Sequence, residues 1–181
     1  ITMKKGAISA LLQYYQNDPF FHADLQRARK EFFGSTNFPI EDITEEESGW
    51  FLEWLVYDFV LASGETLVQN FIHRNPLKLP DYELQHYRDL FNGVYGLYEI
   101  LSIDLGRGMR LRNVHTGIEY DVREKMGTYQ AKVGHLLFNR VGRFPDHYEL
   151  IGSNGTYLSF KLGTRLRKIW RTENVQLTPK S

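Results

Sequence analysis

The chain has 181 residues, 42% hydrophobic and 24% charged, and its 22 basic and 22 acidic side chains cancel to a formal net charge of zero. That balance excludes a whole-molecule positive field for gripping nucleic acid, and a 14% aromatic share argues for filled cores rather than disorder. Cysteine is absent, which excludes disulfides, thiol nucleophiles and cysteine-built zinc sites; no apolar run nears the roughly 18 residues of a membrane span and no secretory leader is visible, so a cytoplasmic location is expected.

The first half reads as helices. Ile8, Leu11, Leu12 and Tyr15 form a stripe at helical spacing over about Met3 to Gln16. Asp18-Pro19 is a helix start, a capping side chain followed by proline at the first helical position. Phe21, Leu25, Ala28 and Phe32 continue that face until Gly34. Thr44-Glu45-Glu46-Glu47 is a capping box, and its acids sit at the positive end of the helix dipole. Trp50, Phe51, Trp54, Leu55 and Phe59 form the stripe behind it. Leu67, Val68, Phe71 and Ile72 predict a short helix ending near Asn75-Pro76. Pro80-Asp81 opens another, carrying Leu84, Tyr87, Leu90 and Phe91 and stopped by Asn92-Gly93.

Beyond Gly93 the period changes to two. Strands are predicted around Leu97–Ile103, Met109–Val114, Ile118–Arg123, His135–Val141 and Tyr148–Gly152, separated by glycine, Thr-Gly and Pro-Asp signals. The expected fold is α+β: a helical part over 1–93, then over 94–181 a small five-stranded antiparallel barrel of SH3-like or OB-like type. A C-terminal helix on Leu162, Leu166, Ile169 and Trp170 closes it, with Arg165, Lys168 and Arg171 turned away from the apolar stripe.

Two stretches, "GWFLEWLVYDFVLASGETLVQNFI" and "GLYEILSIDLGRGMRLRNVHTGIEYDVRE", resemble a segment of uncharacterised bacterial proteins that often carry a SEC-C zinc motif. The resemblance spans roughly Glu45 to Phe160 and rests on the Trp50-to-Asp58 aromatic-acidic block, Gly96-Leu97-Tyr98-Glu99 and the Thr116-Gly117 turn. The cysteine-rich motif itself is absent here, so it carries over no metal role, and it supplies no catalytic residue.

No phosphate-loop, dinucleotide-binding or nucleophile-elbow pattern occurs, and no two of the six histidines have metal-site spacing. The carboxylates Glu45, Glu46, Glu47, Glu53 and Asp58 are the one set from which an enzyme could be built, although caps and dipole account for three of them. The stronger lead is the barrel, where arginines and aromatics interleave as in surfaces that hold phosphates and stack bases. If Thr116-Gly117 is a two-residue hairpin loop, Arg112 faces Asp121 and Arg110 faces Arg123, a like-charge pair inviting an anion. The expected function is a non-catalytic module binding RNA, DNA or a ribonucleoprotein through Arg107, Arg110, Arg123, Arg165, Lys168 and Arg171, without a cofactor or metal. The alternatives are a protein-interaction domain of a larger assembly, meeting an acidic protein surface, and a carboxylate-dependent enzyme.

Overall fold

The computed structural model describes residues 2–35, 43–152, 156–159 and 178–180. Contacts divide the chain into two units, one running up to Phe91 and the other from Asn92 onward. The predicted C-terminal helix, with Arg165, Lys168 and Arg171, lies outside the described residues.

The first unit has five helices among the described residues: α1 (Thr2–Gln16), α2 (Phe21–Phe33), α3 (Glu45–Tyr57), α4 (Leu67–Arg74) and α5 (Asp81–Phe91). Local chemistry sets their ends. The Asp18-Pro19 signal makes the turn before α2, where Asp18 Oδ1 accepts the Phe20 N–H at 3.0 Å, but the helix starts later than that signal predicts, at Phe21, with Phe20 as an N-cap that makes no side-chain cap hydrogen bond. The Thr44 box closes in both directions, Glu47 N–H to Thr44 Oγ1 at 3.1 Å and Thr44 N–H to Glu47 Oε2 at 2.9 Å. A second box, formed by Thr66 and Gln69, opens α4. Asn75 ends α4, and its side chain clamps the Leu79 N–H at 2.7 Å and carbonyl at 2.8 Å. The apolar stripes bury Leu11, Tyr15, Ala28, Trp54, Leu55, Val56, Leu67, Val68, Phe71, Tyr87 and Leu90. Phe32 meets Phe51 edge-on with ring centres 5.4 Å apart.

The second unit is a barrel of β1 (Val94–Asp104), β2 (Gly108–Asn113), β3 (Glu119–Arg123), β4 (Leu136–Arg143) and β5 (Tyr148–Leu150). A short β6 (Thr156–Leu158) lies along β4, and a 3₁₀ turn covers Gly127–Tyr129. The first four strands form a Greek key, with β4 returning beside β1 to give the spatial order β4-β1-β2-β3. β5 then pairs with both β4 and β3 and closes the ring.

The expected all-antiparallel ring is corrected here. Strand directions cannot alternate around a ring of five, so one neighbouring pair must be parallel. That pair is β3–β5, joined through Val122↔Tyr148 and Arg123↔Glu149. β1 is paired along both edges: Val94–Glu99 with β4 and Tyr98–Asp104 with β2, and a register shift between Ile100 and Ser102 interrupts the ladder with β2. Tyr98, Ile100, Met109, Leu111, Val122, Leu137 and Val141 fill the interior. Gly108 is needed where β2 meets β3, because a Cβ there would lie 2.3 Å from the Val122 carbonyl oxygen.

The predicted hairpin register is also corrected, by two residues. Arg110 faces Asp121, Leu111 faces Tyr120 and Arg112 faces Glu119. The loop is longer than Thr116-Gly117 because Asn113 Oδ1 accepts the N–H groups of both His115 and Thr116 at 2.9 Å, and Gly117 then takes φ +73°. A shift of two keeps every side chain on its predicted face and changes only its partner.

Among the described residues, no helix is long and apolar enough to cross a membrane.

Candidate functional site

The sequence placed its carboxylates on α3, and α3 spreads them out. Glu45, Glu46 and Glu47 occupy the first turn, Glu53 is buried in the middle, and Asp58 forms the partly buried C-cap. At 1.5 Å rise per residue the ends of such a helix stand roughly 18 Å apart, too far for one metal or acid–base pair. The Glu47 carboxyl sits below the usual range because it accepts hydrogen bonds from the Thr44 backbone and then from its hydroxyl, a capping role. Among the described residues no group of three or more potential ligands could hold a metal ion.

The like-charge pair Arg110–Arg123 does not form. Arg110 Nε donates to Glu119 Oε2 at 2.9 Å and lies 3.8 Å from Asp121. Arg112 donates to Glu119 Oε1 through Nε at 3.0 Å and Nη2 at 2.7 Å. Held between two guanidinium groups, Glu119 has its carboxyl pulled below the usual range, first by Arg112 and then by Arg110. The outer face of β2–β3 is therefore a balanced ion-pair ladder and not a basic strip.

The other two predicted arginines, Arg107 and Arg123, lie at one rim of the barrel. Pairing sets Gly108 beside Arg123, Val122 beside Tyr148, and Tyr148 beside Arg143. The β1–β2 turn, the end of β3 and the β4–β5 turn therefore follow one another around that rim. Arg107 projects from the first of these, its side chain 83% exposed and only loosely paired with Asp104 at 3.8 Å. Thr128 fastens the turn to the 3₁₀ segment by accepting the Gly106 N–H at 2.9 Å. Tyr129 stands against the same turn, its hydroxyl 3.2 Å from where a side chain on Gly106 would begin. Leu105, Met126 and Tyr129 are exposed around it.

At the parallel β3–β5 seam the rim opens into a cleft of about 520 Å³, lined by residues that include Arg123, Arg143, Phe144, Asp146, His147 and Tyr148. The Pro145-Asp146 turn builds one wall. Phe144 N–H donates to the His147 carbonyl at 2.8 Å, a two-residue connection that puts the Phe144 and His147 rings face to face, 5.2 Å apart and 16° from parallel. His147 Nδ1 contacts Asp146 Oδ1 at 2.5 Å, and Nε2 contacts Glu149 Oε1. A neutral imidazole has one N–H, so both contacts are hydrogen bonds together only when the ring carries two protons. Arg123 Nη2 donates to the other oxygen of Asp146 at 3.0 Å. His147 and then Arg123 hold the Asp146 carboxyl below its ordinary range.

The sequence marked Arg107 and Arg123 and counted Arg143 among the basic residues in or beside the barrel strands, but it did not mark their companions Phe144, Asp146 and His147. The Pro-Asp turn signal was visible. What it faces was not, because the β3–β5 pairing joins residues 26 positions apart, as in Val122↔Tyr148. Comparison of the chain with protein-family models, with curated proteins and with solved structures finds no match.

Proposed function

We propose that the second unit is a non-catalytic binding module for single-stranded nucleic acid, with its site at the rim around the β3–β5 seam. The observation that carries this reading is the cleft itself: two arginines and a stacked aromatic pair line a cavity of about 520 Å³, roomy enough for one nucleotide. Backbone phosphates meet Arg123, Arg143 and Arg107. Unstacked bases lie on Tyr129 and against the Phe144 edge of the cleft, the combination used to bind single strands with little sequence preference. The Greek-key ring of five strands supports an OB-like assignment over an SH3-like one, and OB-type barrels bind oligonucleotides through the face of strands 2 and 3 together with two loops, those between strands 1 and 2 and strands 4 and 5. Those are the two turns that flank this rim.

The test is fluorescence anisotropy with a labelled single-stranded 12-mer and its duplex over a salt series. Single-strand binding that weakens with salt is expected, with Tyr129→Ala losing roughly 1–3 kcal/mol for one stacked base and Arg143→Gln flattening the salt dependence. Absence of salt-sensitive binding at low ionic strength would overturn the reading.

One observation favours a second reading, a protein-interaction module. Leu105, Met126 and Tyr129 are exposed together near the rim, an apolar group of the kind that marks partner sites. Co-purification of a defined protein partner that survives nuclease treatment would support it.

A further inference from the structure

We propose that in the free protein the Asp146 carboxylate occupies the position that a ligand phosphate takes beside Arg123 and Arg143. This rests on the nucleic-acid reading above and specifies its anion subsite. Carboxylate and phosphate are both oxyanions that a guanidinium holds through parallel N–H donors. Arg123 already holds one, Asp146 Oδ2 at 3.0 Å, and it does so inside the cleft.

The pair is built to exchange. The two side chains are 60% and 67% exposed, a setting in which an ion pair contributes little and an incoming anion competes on nearly equal terms. Displaced from Arg123, Asp146 still has a partner, because its other oxygen remains on His147 Nδ1. The Arg143 side chain lines the same cleft and makes no hydrogen bond or ion pair with any described residue, so a second cation is already present for the arriving phosphate. The other arginines on this face differ. Arg110 and Arg112 grip a single, less exposed Glu119 through three hydrogen bonds, and a ligand would have to break all three.

The experiment compares the full chain with Asp146→Asn, Asp121→Asn, Arg123→Gln and the Asp146→Asn/Arg123→Gln double variant. Probes are a labelled single-stranded thymidine 12-mer and inorganic pyrophosphate. Asp121 lines the same cleft but pairs with Arg110, so Asp121→Asn removes the same charge without freeing Arg123. Asp146→Asn is expected to tighten 12-mer binding roughly two- to fivefold. Asp121→Asn should not match it, and the gain should vanish without Arg123. Equal gains from both asparagine variants, or a gain that persists in the Arg123→Gln background, would mean a general charge effect and overturn the proposal. If pyrophosphate binds Asp146→Asn better than wild type while no variant binds the 12-mer, the phosphate subsite stands and the nucleic-acid reading falls. If neither probe binds any variant, both fall. Circular dichroism checks each fold, and Asp146→Ser repeats the measurement should asparagine disturb the turn.

Discussion

Glu47 and Glu119 are both carboxylates held below their ordinary range, and each is tied to a local structural task. For Glu47 the consequence can be measured. Its depressed value in the folded state means its contribution is fully present above the ordinary glutamate pKa of about 4.3 and is lost as pH falls through the folded value. Urea titrations of wild type and Glu47→Gln should therefore differ at pH 7 and converge on acidification below about pH 4. A gap that holds constant with pH would mean the carboxylate charge adds nothing to the cap. Both roles are short-range, and they were unequally readable. Glu47 lies three residues from Thr44, so the box was written in the sequence. Glu119 lies nine residues from Arg110 and seven from Arg112, across a hairpin whose register had to be known first.

At the level of elements, the β2–β3 hairpin shows where local reasoning ends. Strand content and face were legible, because alternation assigned Leu111 and Val122 to the interior and both are buried there. Register was not, because the loop length depends on what Asn113 does. Read as a strand residue, it allows a two-residue loop; with its side chain accepting two backbone amides, it forces a longer one. Replacing Asn113 with alanine leaves those two N–H groups without their acceptor. A loss of roughly 1–3 kcal/mol is expected in chemical denaturation. No loss, with Arg110 and Arg123 then brought face to face in cross-strand NOEs, would show that the longer loop is one of two equivalent choices. The helices, in contrast, were read closely, since the Thr44 box and the stop at Gly34 act within a single turn, although α2 begins two residues past the Asp18-Pro19 signal, at Phe21.

On the scale of the whole chain, the change of period after Gly93 was enough to announce helices followed by strands, and five of the barrel strands were found. Ring closure was beyond reach of the same reasoning, because the β3–β5 neighbours belong to separate stretches with β4 between them. That seam has a consequence in time. The other ring pairs either join neighbouring strands through short turns, as in β1–β2, β2–β3 and β4–β5, or share a long ladder, as in β1–β4 from Val94↔Val141 to Glu99↔Leu136. The seam has two residue pairs and no connecting turn. It is expected to form last in folding and to part first in native-state fluctuations, since its loop-closure entropy is repaid by the fewest contacts. Hydrogen exchange should show the amides of Val122, Arg123, Tyr148 and Glu149 exchanging faster than those of Tyr98, Ile100 and Leu111; uniform protection around the ring would contradict this. The barrel thus has a slowest-closing, fastest-opening gap in its wall, and the cleft lies along it.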